Sequence, residues 1–143
     1  MNRLRRFLSL PAGDRRLFVR ALLLLWAVRL GLWVLPFGRV RRAVAHASRR
    51  RLRVAASVDG VMRAVDSASR FVVDPTCLVR ALSAKVLLGR AGVPAELRIG
   101  VAREGGARLQ AHAWVECDGR VVVGGEHDLS VFTLLPSIDG EGT

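Results

Sequence analysis

Asp74-Pro75-Thr76-Cys77-Leu78-Val79-Arg80-Ala81-Leu82 is the stretch on which the fold turns. Pro75 keeps Asp74 extended, so a helix can begin only after it. Thr76 is a good N-cap, and from Cys77 to Leu88 the chain is rich in Ala, Leu and Val, with Arg80 and Lys85 interspersed. Gly89 and Gly92 predict the end of this helix, with Pro94 just beyond. Cys77 then falls in the first turn, beside N–H groups that lack intrahelical acceptors and at the positive end of the dipole. That setting favours the thiolate, the nucleophilic form. The plainer reading is that a lone cysteine in an apolar helix is a small buried residue.

Beyond Pro94 the period changes from helical to alternating. Ala95 to Ala102 reads as a strand, Arg103-Glu104-Gly105-Gly106 as a turn, and Leu109 to Cys117 as a second strand. Asp118-Gly119 is a strong hairpin signal, and Arg120 to Val123 returns as a third strand. On the second strand Gln110, His112, Trp114 and Glu116 share one face, while Cys117 falls on the other as a buried structural cysteine. If the Cys77 helix crosses the face bearing His112, thiol and imidazole can pair. The imidazole would deprotonate the thiol and later protonate a leaving amine. Trp114 would shield the pair from water or simply fill the core. Candidate oxyanion donors are the backbone N–H groups at Cys77 and Leu78, with Gln110 a second choice.

A chain of 143 residues, 51% of them hydrophobic, suits one domain with a real core and is not disordered. Its net charge of +11 is carried almost entirely by arginine, and Lys85 is the only lysine. Such a balance suits nucleic acid, an anionic membrane surface or an acidic protein partner; much of the excess lies in the first 53 residues, so it marks a local surface rather than a global property. The two cysteines, Cys77 and Cys117, have neither metal-ligand nor disulfide-framework spacing, which points to a reducing compartment; no metal or cofactor is expected.

Residues 1–53 read as a basic helical segment and 54–143 as the core that carries the chemistry. Asp14 predicts the start of a long helix running to about Leu35, before Pro36. Leu17 to Phe37 is long enough to span a bilayer, but Arg20 and Arg29 each cost roughly 2.5–3.5 kcal/mol at a helix centre. A buried helix, or one docking through 17–37 onto a partner or a bilayer surface, is therefore favoured. Ala43-Val44-Ala45-His46-Ala47 offers small residues for signal cleavage, but Arg29, Arg39, Arg41 and Arg42 crowd the region, and a cytoplasmic location fits better. Residues 39–53 read as an arginine-studded helix without aromatics, which gives no support for base stacking. Residues 54–70 read as another, with Val54, Val58, Val61, Met62 and Val65 on its apolar face. Helices first and an antiparallel meander afterwards predict an α+β fold with the cysteine helix packed on the sheet.

Three further segments join the opening one in a recognisable order. They are Leu87-Leu88-Gly89-Arg90-Ala91-Gly92-Val93-Pro94-Ala95, Ile99-Gly100-Val101, and Ala111-His112-Ala113-Trp114-Val115-Glu116-Cys117-Asp118-Gly119. Together with Arg6-Phe7-Leu8, Pro11-Ala12, Asp14-Arg15 and Leu35-Pro36-Phe37, the set resembles the transglutaminase-like leader peptidases of lasso peptide biosynthesis, the B-protein family. A helix-start cysteine followed by a strand histidine is the layout of papain-like and transglutaminase-like enzymes. The resemblance implies cleavage of a leader from a ribosomally made precursor peptide, with Cys77 as nucleophile and His112 as base. The freed amine would pass to an ATP-dependent, macrolactam-forming cyclase. A chain of this length has no room for the leader-binding domain of fused members, so it resembles the split form, served by a separate leader-binding protein.

The resemblance also implies a triad acid on the strand after the histidine, about where Gly124 stands. With a two-residue turn at Asp118-Gly119, residue 112 faces residue 125, so odd positions from 121 to 127 share its face. Glu126 and Asp128 then point away unless a bulge at Gly124-Gly125 reverses the parity. Asp128, Glu126 or a backbone carbonyl could orient His112, or the acid is dispensable; His127 fits an exposed loop. Two other functions compete with the peptidase: a non-catalytic scaffold that keeps the fold, and, on charge alone, a nucleic-acid binder, whose affinity would fall steeply with salt.

Overall fold

Thr76 caps the helix in the expected way. In the computed structural model its backbone is extended (φ −63°, ψ 161°) and its side-chain oxygen accepts from the N–H of Val79 at 3.4 Å. Residues 5, 8–9, 12–50, 57–73, 76–104, 108–125 and 129–134 are described by the structure. They form α1 (Ala12–Val34), α2 (Phe37–Ser48), α3 (Val58–Ser69), α4 (Cys77–Arg90), β1 (Glu96–Glu104), β2 (Arg108–Cys117), β3 (Arg120–Val123), a 3-10 turn (Leu129–Val131) and β4 (Thr133–Leu134).

Gly89 does not end α4; it lies inside it. A Cβ there would come within 2.6 Å of the Ser48 carbonyl oxygen, so glycine lets the end of α2 press against α4. The stop is Gly92, at φ +79°, with Gly92 N–H bonded to the Gly89 carbonyl and Val93 N–H to that of Leu88. This is a Schellman ending, and it satisfies carbonyls the helix leaves over.

The core forms around α4, whose Val79, Leu82, Val86, Leu87 and Leu88 are all buried. α1 contributes Leu17, Ala21, Leu25 and Val28, a stripe at helical spacing, α2 adds Val40 and Val44, and α3 adds Val61 and Val65. Burying each large aliphatic side chain contributes about 1.5–3 kcal/mol, which explains why α1 keeps its inner face despite its apolar outer one. Val54 lies outside the described residues. By length and composition the Gly13–Val34 portion of α1 could cross a membrane (mean hydropathy 1.9), yet its inner stripe belongs to this core.

The sheet is antiparallel, in the order β3-β2-β1-β4. Asp118 (φ 51°) and Gly119 (φ 76°) both take the left-handed conformation, so the β2–β3 connection is a type I′ turn, as the Asp-Gly pair predicts. β1 extends through Arg103 to Glu104, beyond the point where a turn was expected. β4 pairs Gly100 with Leu134 and Val101 with Thr133 and has no counterpart in the sequence reading. Helices followed by a small antiparallel sheet make the fold α+β, as expected.

Candidate active site

Cys77 is the first residue of α4 and is half-buried against the edge of the core. Val79 N–H is taken by the Thr76 side chain and Arg80 N–H by the Thr76 carbonyl, at 3.1 Å. The N–H groups of Cys77 and Leu78 have no acceptor within the helix, so they remain the natural donors for a developing oxyanion there. Gln110, the other candidate donor, is exposed on β2.

His112 is 5% exposed, in the middle of β2. Its Nε2 lies 2.7 Å from the Gly124 carbonyl oxygen. A carbonyl only accepts, so Nε2 carries the hydrogen in this contact. Among the described residues, a backbone carbonyl, one of the orienting groups the sequence left open, lies at the ring. Glu126, His127 and Asp128 lie outside the described residues.

The register explains how Gly124 reaches the imidazole. Cys117 pairs with Arg120 and Glu116 with Val121, but Val115 pairs with Val123, so β3 carries one extra residue opposite the step from Val115 to Glu116. The bulge sits earlier than Gly124-Gly125, where it was considered, and it overturns the expected odd-number parity. Val123 falls opposite Val115 on the core face, and Gly124 comes level with Trp114. Gly124 has φ +89°, and a Cβ on it would lie 2.8 Å from the Ala113 carbonyl oxygen and 2.9 Å from Trp114 Cβ. Only glycine lets the backbone cross β2 this closely and turn its carbonyl to His112.

Around the ring is a wall the sequence showed only in part. Trp114 stacks on His112 with centroids 5.9 Å apart, and Phe132, from the chain preceding β4, lies 5.5 Å from the imidazole. Trp114 Nε1–H donates to Glu116 Oε1 at 2.9 Å, and Glu116 pairs with Arg98 of β1 at 3.5 Å. These contacts fix the indole, and the indole limits the rotamers of the imidazole. Phe132 was missed because it pairs with nothing local; its approach to Gly100, the strand partner of His112, is visible only in three dimensions.

α4 packs on β2, so the cysteine helix and the histidine strand are direct neighbours. The helix does not, however, cross the face expected of it. Ala113, Val115 and Cys117 enter the core with the helices, together with Leu97 and Ile99 of β1. By alternation His112 and Trp114 project from the opposite face, where Gly100 and Phe132 meet them. Cys117 is 7% exposed and structural, as predicted. Burial pushes its thiol up from the ordinary range, the Asp118 charge adds to this, and Arg120 opposes it.

Among the described residues no group of His, Cys, Asp and Glu is placed to hold a metal ion. No curated protein and no solved structure matches the chain. The family model described as the transglutaminase-like superfamily matches residues 22–137, a span that takes in α4, the whole sheet and most of α1. A capped helix that begins at a cysteine, packed on a sheet whose second strand presents an oriented histidine, is thus the core of a chain that belongs to the transglutaminase-like superfamily.

Proposed function

We propose that the protein is a cysteine-type leader peptidase of lasso peptide biosynthesis. In this reading Cys77 is the nucleophile and His112 Nδ1 the base. Nδ1 takes the thiol proton, the thiolate adds to the scissile carbonyl, and the oxyanion is met by N–H groups at Cys77 and Leu78. The proton then passes to the departing amine, which leaves as the free N-terminus of the core peptide. Water hydrolyses the thioester, releases the leader as a carboxylate and restores the thiol. A separate leader-binding protein presents the precursor, and a cyclase consumes the freed amine. The observation that supports this reading is the Gly124 carbonyl 2.7 Å from His112 Nε2, which orients the imidazole on the strand beside the cysteine helix.

The test is cleavage of a precursor peptide in the presence of its leader-binding protein. Cys77→Ala should abolish cleavage while partner binding and thermal unfolding remain near wild type, and His112→Ala should abolish cleavage as well. Cleavage retained by Cys77→Ala refutes the assignment. A second reading, a non-catalytic scaffold, is favoured by one observation, the projection of His112 from the face opposite the helices. The two separate on alkylation. In the peptidase, iodoacetamide modifies Cys77 faster once precursor and leader-binding protein are added, and His112→Ala removes the gain. In a scaffold neither addition nor substitution changes the rate.

A further inference from the structure

The outer side of α1 is the largest feature that the proposed chemistry does not use. Opposite the buried stripe of Leu17, Ala21, Leu25 and Val28 runs a second line at helical spacing: Arg16, Arg20, Leu23, Ala27, Leu30 and Val34. Leu23 is 66% exposed and Val34 78%, and Trp33 stands beside them at 57%. A helix on the surface of a water-soluble domain ordinarily turns charged residues outward. From Leu23 to Val34 this face does not, so it is built for a second apolar surrounding. We propose that this surrounding is an anionic lipid bilayer, on which α1 lies flat while its inner stripe stays in the domain core.

Charge selects the lipid surface. Arg16 and Arg20 occupy the amino end of the outer line, and the Arg29 guanidinium lies 4.5 Å from the centre of the Trp33 ring, an arrangement suited to the headgroup boundary. The adjoining α2 and its cap expose Arg39, Arg42, His46 and Arg49, spaced to share one side of the helix. The first 53 residues carry 14 arginines against Asp14 alone, whereas the remainder of the chain has a small negative balance. A protein interface normally supplies about one hydrogen bond per 100–200 Å², and the Leu23–Val34 segment presents no uncharged hydrogen-bonding side chains except the Trp26 and Trp33 indoles. Acyl chains ask for none, and indoles suit the headgroup boundary. The line from Arg16 to Val34 is about 27 Å long at 1.5 Å per residue, ample for an interfacial helix. This proposal stands apart from the peptidase reading and does not depend on it.

The experiment is co-sedimentation of the full chain with vesicles of equal phosphatidylglycerol and phosphatidylcholine, against vesicles of phosphatidylcholine alone. Binding to the anionic vesicles should be stronger by at least roughly ten-fold and should weaken with added salt. Leu23→Glu with Leu30→Glu should reduce it by about ten-fold or more while thermal unfolding is unchanged, because both side chains already face water. Arg39→Glu with Arg42→Glu should remove much of the salt-sensitive part. Equal binding to both vesicle types, or full binding by the Leu23→Glu, Leu30→Glu variant, overturns the proposal. So does a concentration-dependent dimer in sedimentation velocity that this variant abolishes without vesicle binding, since a second copy would then be the occupant.

Discussion

Replacing Gly124 by alanine tests whether a close backbone crossing, and not glycine's flexibility alone, aims the carbonyl at His112. Gly119 is the internal control. Both glycines have left-handed φ, +76° and +89°, but a Cβ at 119 meets nothing within 4 Å, whereas at 124 it meets backbone at 2.8 Å. Gly119→Ala should therefore cost only the conformational strain, about 1–2 kcal/mol. Gly124→Ala adds overpacking against the fixed β2 backbone, about 1–3 kcal/mol more. In urea unfolding the two variants should differ by roughly 2 kcal/mol at unchanged m-value, with Gly124→Ala the weaker. Imidazole ¹⁵N spectra supply the second readout. The Nε2–H signal of His112 should persist in Gly119→Ala and broaden or change tautomer in Gly124→Ala. Equal stability loss in the two variants, with an unaltered His112 signal, would refute the reasoning.

Native protein treated with a bulky disulfide reagent should react at half-buried Cys77 and not at buried Cys117, as peptide mapping of the labelled thiols will show. The raised Cys117 thiol makes the folded state bind a proton that the unfolded chain releases sooner. Its contribution to stability is therefore complete below the ordinary thiol range, about 8.5, and is lost as pH rises through it. Denaturation midpoints taken between pH 7.5 and 10 should fall less steeply in Cys117→Ala than in wild type. Thr76→Ala, which removes the cap from α4, should lower stability by about 0.5–2 kcal/mol in chemical denaturation. Leu82→Ala, at a fully buried position of α4, should cost about 2–5 kcal/mol in the same assay.

Local chemistry made much of the fold legible. Thr76, Asp118-Gly119 and the stretch Arg120–Val123 each sit where their residue types predict, because caps, type I′ turns and short strands are decided within a few residues. Gly89 misled for the same reason. A glycine near a helix end reads as a stop, and only the nearby Ser48, 41 positions earlier in the chain, reveals its packing role. At the candidate site Cys77, His112 and Trp114 were readable as residue types on elements. The bulge opposite Val115 was not, since three consecutive valines in β3 give no sign of which one is extra. Parity, the Gly124 carbonyl and the Phe132 wall all follow from that slip and from the long-range pairing of β4, which no local pattern encodes.

That late pairing has a consequence for how the molecule opens. β1, β2 and β3 are joined by successive connections, so their ladders close over short loops, while β4 must return across the sheet to find Gly100 and Val101. Two residues of ladder hold it there. Amide exchange in β4 should consequently run far ahead of exchange in α4, and each brief detachment loosens the Phe132 side of the imidazole while the helical interior stays shut. The histidine is thus buried on average yet walled on one side by a segment that a two-residue ladder holds in place.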